Sequence, residues 1–186
     1  SASIGHTRYS TAGDKALLNA QPIVIDCNKG KVSIGHNGNL TNAGEWRRKL
    51  EHKGSIFQTN SDTEVIVHLL ARSQTRHLSG ALGDALNQVE GAYSLVVLTT
   101  DELYAIRDPR GFRPLNLGKL IAPNGEVWAV GGDLVSADRQ AQPTHAVCEP
   151  SGDEARLREL EAFADVAENG VVRDLHLVKA ELRFAM

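Results

Sequence analysis

Two short apolar runs, Tyr93 to Thr99 and Glu102 to Arg107, are separated only by the turn-forming pair Thr100-Asp101. Parallel strands need a crossover of a dozen or more residues, so strands this close in sequence pair antiparallel as a hairpin. Three further segments read as strands. Lys31 to His36 alternates, with Val32 and Ile34 on one face, Pro22 to Asp26 is a short β-branched run, and Val127 to Val130 follows the turn pair Asn124-Gly125. Strands therefore cluster in runs instead of alternating with helices. That predicts an α+β fold with antiparallel sheets and excludes a doubly wound parallel sheet.

The helical segments are marked by their first turns and stripes. Asn42 with Glu45 opens a segment that aligns Ala43, Trp46 and Leu50. Ser61 with Glu64 reads as a capping box ahead of Val65, Ile66, Leu69 and Leu70. Leu78, Leu82, Ala85 and Val89 repeat at helical spacing, and Ser151 with Glu154 opens a further helix with Leu157, Leu160, Ala164 and Ala167 inward. A last strand is expected at Val171 to Val178. Residues 139–153, polar and holding Pro143, Pro150 and Gly152, read as a linker. At 186 residues the chain is long enough for one domain with a real core.

Composition excludes several classes. With 20 Lys+Arg against 23 Asp+Glu, the net charge of −3 argues against a nucleic-acid binder. No run approaches the ~20 apolar residues of a membrane span, and the opening Ser1-Ala2-Ser3-Ile4 lacks signal-peptide character. Cys27 and Cys148 are too few for a disulfide scaffold and have no metal-ligand spacing, which fits a reducing cytoplasm.

Three segments place small and polar residues where a core wants apolar ones: Gly5 to Gly13, Gly35-His36-Asn37-Gly38-Asn39-Leu40, and Asn60-Ser61-Asp62-Thr63-Glu64. In the first, Arg8 offers planar bidentate donation to a carboxylate and Thr11 adds a hydroxyl, or Arg8 forms a surface ion pair. In the second, Asn37-Gly38 is either an ordinary hairpin turn or an oxyanion site built from the Asn amide and the Gly N–H. In the third, Ser61 and Glu64 serve the helix start. Asp62 either answers the helix dipole or binds a ligand ammonium. A carboxylate binder, an oxyanion donor pair and an ammonium binder together suit an α-amino acid under attack at a side-chain carbonyl. Glutamine fits, and the reaction class is amide hydrolysis.

Gly5-His6-Thr7-Arg8-Tyr9-Ser10-Thr11-Ala12-Gly13, Asn19-Ala20-Gln21-Pro22, His36-Asn37-Gly38-Asn39-Leu40, Ser61-Asp62-Thr63-Glu64 and Arg107-Asp108-Pro109-Arg110-Gly111-Phe112-Arg113-Pro114-Leu115 follow one another in this order. Over roughly residues 4–130 the chain resembles the class II glutamine amidotransferase domain of amidophosphoribosyltransferases. The resemblance implies an N-terminal-nucleophile hydrolase-like αββα sandwich of antiparallel sheets. It also implies a processed N-terminal Cys that attacks glutamine with its own α-amine as base, and ammonia delivered to a phosphoribosyltransferase domain that makes phosphoribosylamine for purine synthesis. By motif, Arg8 and Thr11 correspond to the binders of the glutamine α-carboxylate, Asn37 and the Gly38 backbone to the oxyanion hole, and Asp62 to the ammonium binder. Arg107, Asp108 and Arg113 are expected to form structural ion pairs.

The sequence departs from this pattern at both ends. The family's Cys and opening strand have no counterpart before Gly5, Ser1 is poorly placed to substitute, and Cys27 and Cys148 are internal. The expectations are a sandwich incomplete at the N-terminus and no turnover by this chain alone. Residues 1–138 would form a glutamine amidotransferase type 2-like domain truncated at its front. Residues 139–186 would be a divergent helix-and-strand extension of it. No cofactor or metal is expected in this chain; magnesium, and an iron–sulfur cluster left open, belong to a full-length parent. The implied partners are glutamine and a phosphoribosyltransferase or other synthase domain, with a homo-oligomeric parent and neither nucleic acid nor membrane. The alternatives are the glutaminase half of a glucosamine-6-phosphate synthase or asparagine synthetase type, or a non-catalytic glutamine-binding regulator.

Overall fold

The computed structural model describes residues 2–6, 17–122, 125–131, 146–148 and 176–181. Nine strands and three α-helices lie within them: β1 Ala2–Ser3, β2 Ile23–Cys27, β3 Gly30–Leu40, α1 Ala43–His52, α2 Thr63–Arg72, α3 Leu78–Leu86, β4 Gly91–Leu98, β5 Glu102–Arg107, β6 Asn116–Ala122, β7 Gly125–Gly131, β8 Ala146–Cys148 and β9 His176–Glu181. They form a five-stranded sheet in the order β2-β3-β4-β5-β9 and a four-stranded sheet in the order β1-β8-β7-β6, with every pairing antiparallel. The β4–β5 hairpin expected around Thr100-Asp101 is present, with Leu98 opposite Leu103.

The central strands are apolar on both faces because both faces are covered. Tyr93, Leu95 and Val97 of β4, with Tyr104 and Ile106 of β5, join the cluster of α2 and α3 side chains (Val65, Ile66, Leu69, Leu70, Leu82, Ala85). Val96, Leu103 and Ala105 point the other way and pack with Val130 of β7, beside Ile4 and Leu115. Helices, five-stranded sheet and four-stranded sheet thus stack as three layers. Each buried Leu or Ile contributes about 1.5–3 kcal/mol, so the α2 stripe is a main anchor of the helical layer. The helix expected after Ser151, the loop residues 123–124 and residues 171–175 of the expected last strand lie outside the described residues.

Several local expectations are corrected. Ala146–Cys148, read as linker, is a strand seated between β1 and β7. The last strand, described over His176–Glu181, runs beyond the expected end at Val178. Asn42 makes no cap hydrogen bond: its Nδ2 donates to Gln88 O (3.0 Å) and its Oδ1 accepts from Glu90 N–H (2.9 Å), tying α1 to the start of β4. The Ser61–Glu64 box does not close either. Ser61 Oγ accepts from Thr63 N–H (3.3 Å), but the Glu64 carboxylate turns to Gln58 N–H (2.8 Å), Thr59 N–H (2.8 Å) and the Thr59 hydroxyl (2.7 Å).

Candidate functional site

Strand β3 is longer than the strands beside it. Residues 30–34 pair with β2 and residues 33–40 with β4, so the far half of β3 has no strand on its β2 side among the described residues. In an antiparallel ladder successive N–H groups point to opposite sides. Those of His36, Gly38 and Leu40 therefore face this open edge. Side chains meet two of them: His36 N–H donates to Gln21 Oε1 (2.6 Å) and Leu40 N–H to Asp62 Oδ2 (2.9 Å). The Gly38 N–H stands between these fixed acceptors.

Asn37-Gly38 is thus no hairpin turn. The pair lies inside the strand, opposite Ser94 and Tyr93. Gly38 is required by close approach: at φ +156°, a Cβ would fall 2.1 Å from Ala92 O and 2.7 Å from Tyr93 Cα. Asn37 alternates onto the face shared by Gly35, whose own Cβ position is 3.4 Å from Ile4 Cδ1, so it faces the second sheet.

Asp62 opens α2 and reaches back to β3. Besides the Leu40 amide it meets His36, whose Nδ1 lies 3.4 Å from Asp62 Oδ1 and 2.9 Å from Thr63 Oγ1. Burial pushes the Asp62 carboxyl up, but the His36 hydrogen bond and charge and the Leu40 and Thr63 amides outweigh it, leaving the group below the usual aspartate value. The carboxylate is ionised, clamped at both oxygens and still 23% exposed. Two residues of strand put its anchor ~7 Å from the Gly38 N–H, close to the span of an extended glutamine side chain.

The surrounding loop is fixed by side chains from both flanks. Asn19 is buried and its Oδ1 accepts from Asn60 N–H (3.1 Å), while Glu64 holds residues 58 and 59. Of the expected site residues, Asn37 and Gly38 are neighbours on β3, with Asn37 on the face toward the second sheet, and Asp62 meets the same strand at His36 and Leu40; Arg8 and Thr11 lie outside the described residues. His36, Gln21 and Thr63 carry no role in the sequence reading. Their signal was the presence of polar residues at 19, 21 and 36 within otherwise strand-like or motif segments.

Among the described residues Arg107, Asp108 and Arg113 make structural hydrogen bonds and no ion pair. Asp108 is fully buried and accepts from the N–H groups of Arg110 (3.0 Å), Phe112 (3.2 Å), Arg113 (3.2 Å) and Tyr93 (3.4 Å). Arg107 donates to the carbonyls of Arg113 (Nε, 2.6 Å) and Gly111 (Nη2, 2.6 Å). Among the described residues no group of three or more His, Cys, Asp or Glu is placed to hold a metal ion, and Cys27 stands alone at the end of β2. No helix described is long and apolar enough to cross a membrane.

Two stacked antiparallel sheets and a clamped carboxylate beside the free edge of β3 set the fold and the geometry of the site. The family model for the glutamine amidotransferase domain matches residues 6–132, and the chain belongs to that family. Its relatives include amidophosphoribosyltransferase 2, chloroplastic, of Arabidopsis thaliana, 52% identical over 116 residues, covering 62% of this chain and 21% of the relative. The amidophosphoribosyltransferase of Lacticaseibacillus casei is 48% identical over 117 residues, covering 63% of this chain and 60% of the relative. Among solved structures, an allosteric regulatory enzyme of purine biosynthesis aligns with TM-score 0.59 and 33% identity over 69% of this chain and 32% of that one. A glutamine phosphoribosylpyrophosphate amidotransferase from B. subtilis, complexed with ADP and GMP, gives TM-score 0.58 and 30% identity over the same shares, 69% and 32%. These neighbours bear out the α+β N-terminal-nucleophile hydrolase-like fold. The chain spans about a fifth of the Arabidopsis relative and under two thirds of the Lacticaseibacillus one.

Proposed function

We propose that this chain is the glutamine-handling part of an amidophosphoribosyltransferase. It would release ammonia from glutamine for a phosphoribosyltransferase domain that forms phosphoribosylamine in purine synthesis. The observation that carries this reading is the open edge of β3, where the Gly38 N–H and the Asp62 carboxylate stand a glutamine's length apart. Arg8 and Thr11 take the α-carboxylate, Asp62 the α-ammonium, and Asn37 Nδ2 with the Gly38 N–H the amide oxygen as it gains charge. An oxyanion donor of this kind is worth about 2.7–4 kcal/mol in the barrier.

In that reaction a cysteine sulfur adds to the amide carbon, the C–N bond breaks and ammonia leaves with a proton relayed by the cysteine's own α-amine. Water then cleaves the thioester to glutamate. Cys27 does not fill this role. It sits opposite Gly30, seven residues and so ~24 Å along β3 from Asn37. Cys148, being internal, has no free α-amine. The 186-residue polypeptide alone is accordingly proposed to bind glutamine weakly and not to hydrolyse it. The homo-oligomeric parent, its magnesium and its cytoplasmic location are part of the same proposal.

The test is glutamine binding to the purified chain by NMR titration. Weak saturable binding that falls at least about tenfold in both Arg8→Ala and Asp62→Asn is expected, the loss of one charged hydrogen-bond partner being of that order. Binding unchanged in both variants would refute the assignment. Upstream in-frame sequence opening Met-Cys-Gly would support the enzyme over a glutamine-binding regulator, and unrelated sequence there would favour the regulator.

A further inference from the structure

His36 is 3% exposed, and its Nε2 has no hydrogen-bond partner among the described residues. A buried polar nitrogen left unpaired is costly, so the ring needs a compensating reason at its other nitrogen. That nitrogen, Nδ1, faces Thr63 Oγ1 at 2.9 Å and Asp62 Oδ1 at 3.4 Å. The backbone of the same residue is held by Gln21 and immediately precedes Asn37. His36 therefore brings a side chain of the strand that carries Gly38 to the carboxylate proposed to bind the ammonium, which Leu40 of the same strand meets through its backbone N–H.

We propose that His36 is a positioning residue: through Nδ1–H it fixes the second oxygen of Asp62, and so sets where a substrate α-ammonium sits relative to the Gly38 N–H. This rests on the reading of Asp62 as the ammonium binder. The Leu40 and Thr63 amides hold the carboxylate but leave it able to rotate about its Oδ2 anchor. The imidazole removes that freedom, because the ring is itself locked between β3 and the first residue of α2. Nothing in the role requires His36 to exchange a proton or touch the substrate.

The experiment compares His36→Phe, His36→Asn and His36→Gln in the full chain. Asparagine can present a donor near the Nδ1 position, glutamine near the Nε2 position, and phenylalanine neither. The ligands are glutamine and 4-carbamoylbutanoate, which lacks the α-ammonium. Removing the Nδ1 donor is expected to weaken glutamine about tenfold, the order of a hydrogen bond to a charged group. In His36→Phe and His36→Gln the analogue is expected to change less than about twofold, and His36→Asn is expected to recover most of the glutamine affinity. An equal loss for both ligands, or no rescue by asparagine, would overturn the proposal as mere structural damage. A second readout is independent of ligand: the Asp62 carboxyl titration, followed by carbon NMR, moves upward in His36→Phe and His36→Gln but not in His36→Asn. If Asp62→Asn leaves the preference for glutamine over the analogue intact, the ammonium reading itself fails, whatever the histidine variants show. Should His36→Phe not fold, the Asn/Gln pair decides alone.

Discussion

Replacing Gly38 by alanine tests the account of the oxyanion strand at its tightest point. The added Cβ would lie 2.1 Å from Ala92 O and 2.7 Å from Tyr93 Cα, whereas real Cβ atoms essentially never approach within 3.0 Å. Both obstacles are backbone, so β3 and β4 must separate by about 1 Å where Gly38 faces Tyr93. Overpacking of this kind costs about 1–3 kcal/mol, and a non-glycine residue held in a sparsely populated φ/ψ region about 1–3 kcal/mol more. For a domain of this size each kcal/mol moves Tm by about 2–4 °C, so Gly38→Ala is expected to lower it by roughly 5–20 °C. The comparison is Gly30→Ala. There φ is +91° but nothing lies within 4 Å of the new carbon, so only the conformational strain remains. Thermal unfolding followed by circular dichroism measures both, with amide exchange at Tyr93 and Leu40 reporting whether the strands have parted. A Gly38→Ala variant within about 2 °C of Gly30→Ala, a difference under ~1 kcal/mol, would refute the close-approach reasoning.

Asp108→Asn keeps the size but turns an NH2 toward backbone donors that the carboxylate now accepts from; a loss of about 2–4 kcal/mol is expected by urea unfolding, and an unchanged midpoint would contradict the backbone-nest account. Burial raises the Asp108 pKa, but these four amides outweigh it and hold the group below its ordinary 3.8, so its stabilisation is present above pH 3.8 and is lost as pH falls below it. The asparagine variant should lack that part of the acid slope. His68 is held below 6.5 chiefly by burial, with the Arg47 and Arg72 charges adding to the shift and Glu64 and the Ile56 carbonyl opposing it. Below pH 6.5 the unfolded chain binds the proton first, so stability is lost as pH falls through this window. His68→Phe should flatten the dependence of Tm between pH 7.5 and 5.5, and an unaltered slope would exclude His68 as its source.

Local pattern in the sequence reports local structure faithfully where burial decides it. Glu102 to Arg107 is the strand β5 to the residue, and Leu78, Leu82, Ala85 and Val89 all reach the core. It misleads where long-range partners compete for the same groups. The Asn37-Gly38 signal for a turn is overridden because β4 supplies a ladder on one side and Gln21 and Asp62 supply acceptors on the other. Glu64 abandons the helix start because the loop at 58 and 59 offers three donors at once. Arginines beside an aspartate suggest ion pairs, yet a fully buried carboxylate with four amides in reach needs no cation, and Arg107 turns to carbonyls instead. Ala146–Cys148 is too short to show a period, so only its pairing with Ala2–Ser3 and with Trp128–Val130 reveals it as a strand. The site follows the same division. The polar residues at 37, 38 and 62 were legible as site candidates, and the histidine that meets Asp62 was not, because its meaning lies across 25 residues of intervening chain.

The order of strands in the five-stranded sheet also has a consequence for synthesis on the ribosome. Strands β2 to β5 and the three helices described come from residues 23–107, an unbroken stretch that holds the whole cluster packed under the helices once it has emerged. The outer edge of β5, however, is paired among the described residues by β9, from residue 176 onward. At roughly 5–20 residues per second, the 68 residues between Arg107 and His176 take about 3–14 s to be made. For that interval the nascent domain holds a packed helical face beside an unpaired strand edge, and neighbouring chains on one messenger present the same edge to each other. Chains stopped before residue 176 are therefore expected to associate edge to edge, whereas chains carried through residue 181 close the edge from within.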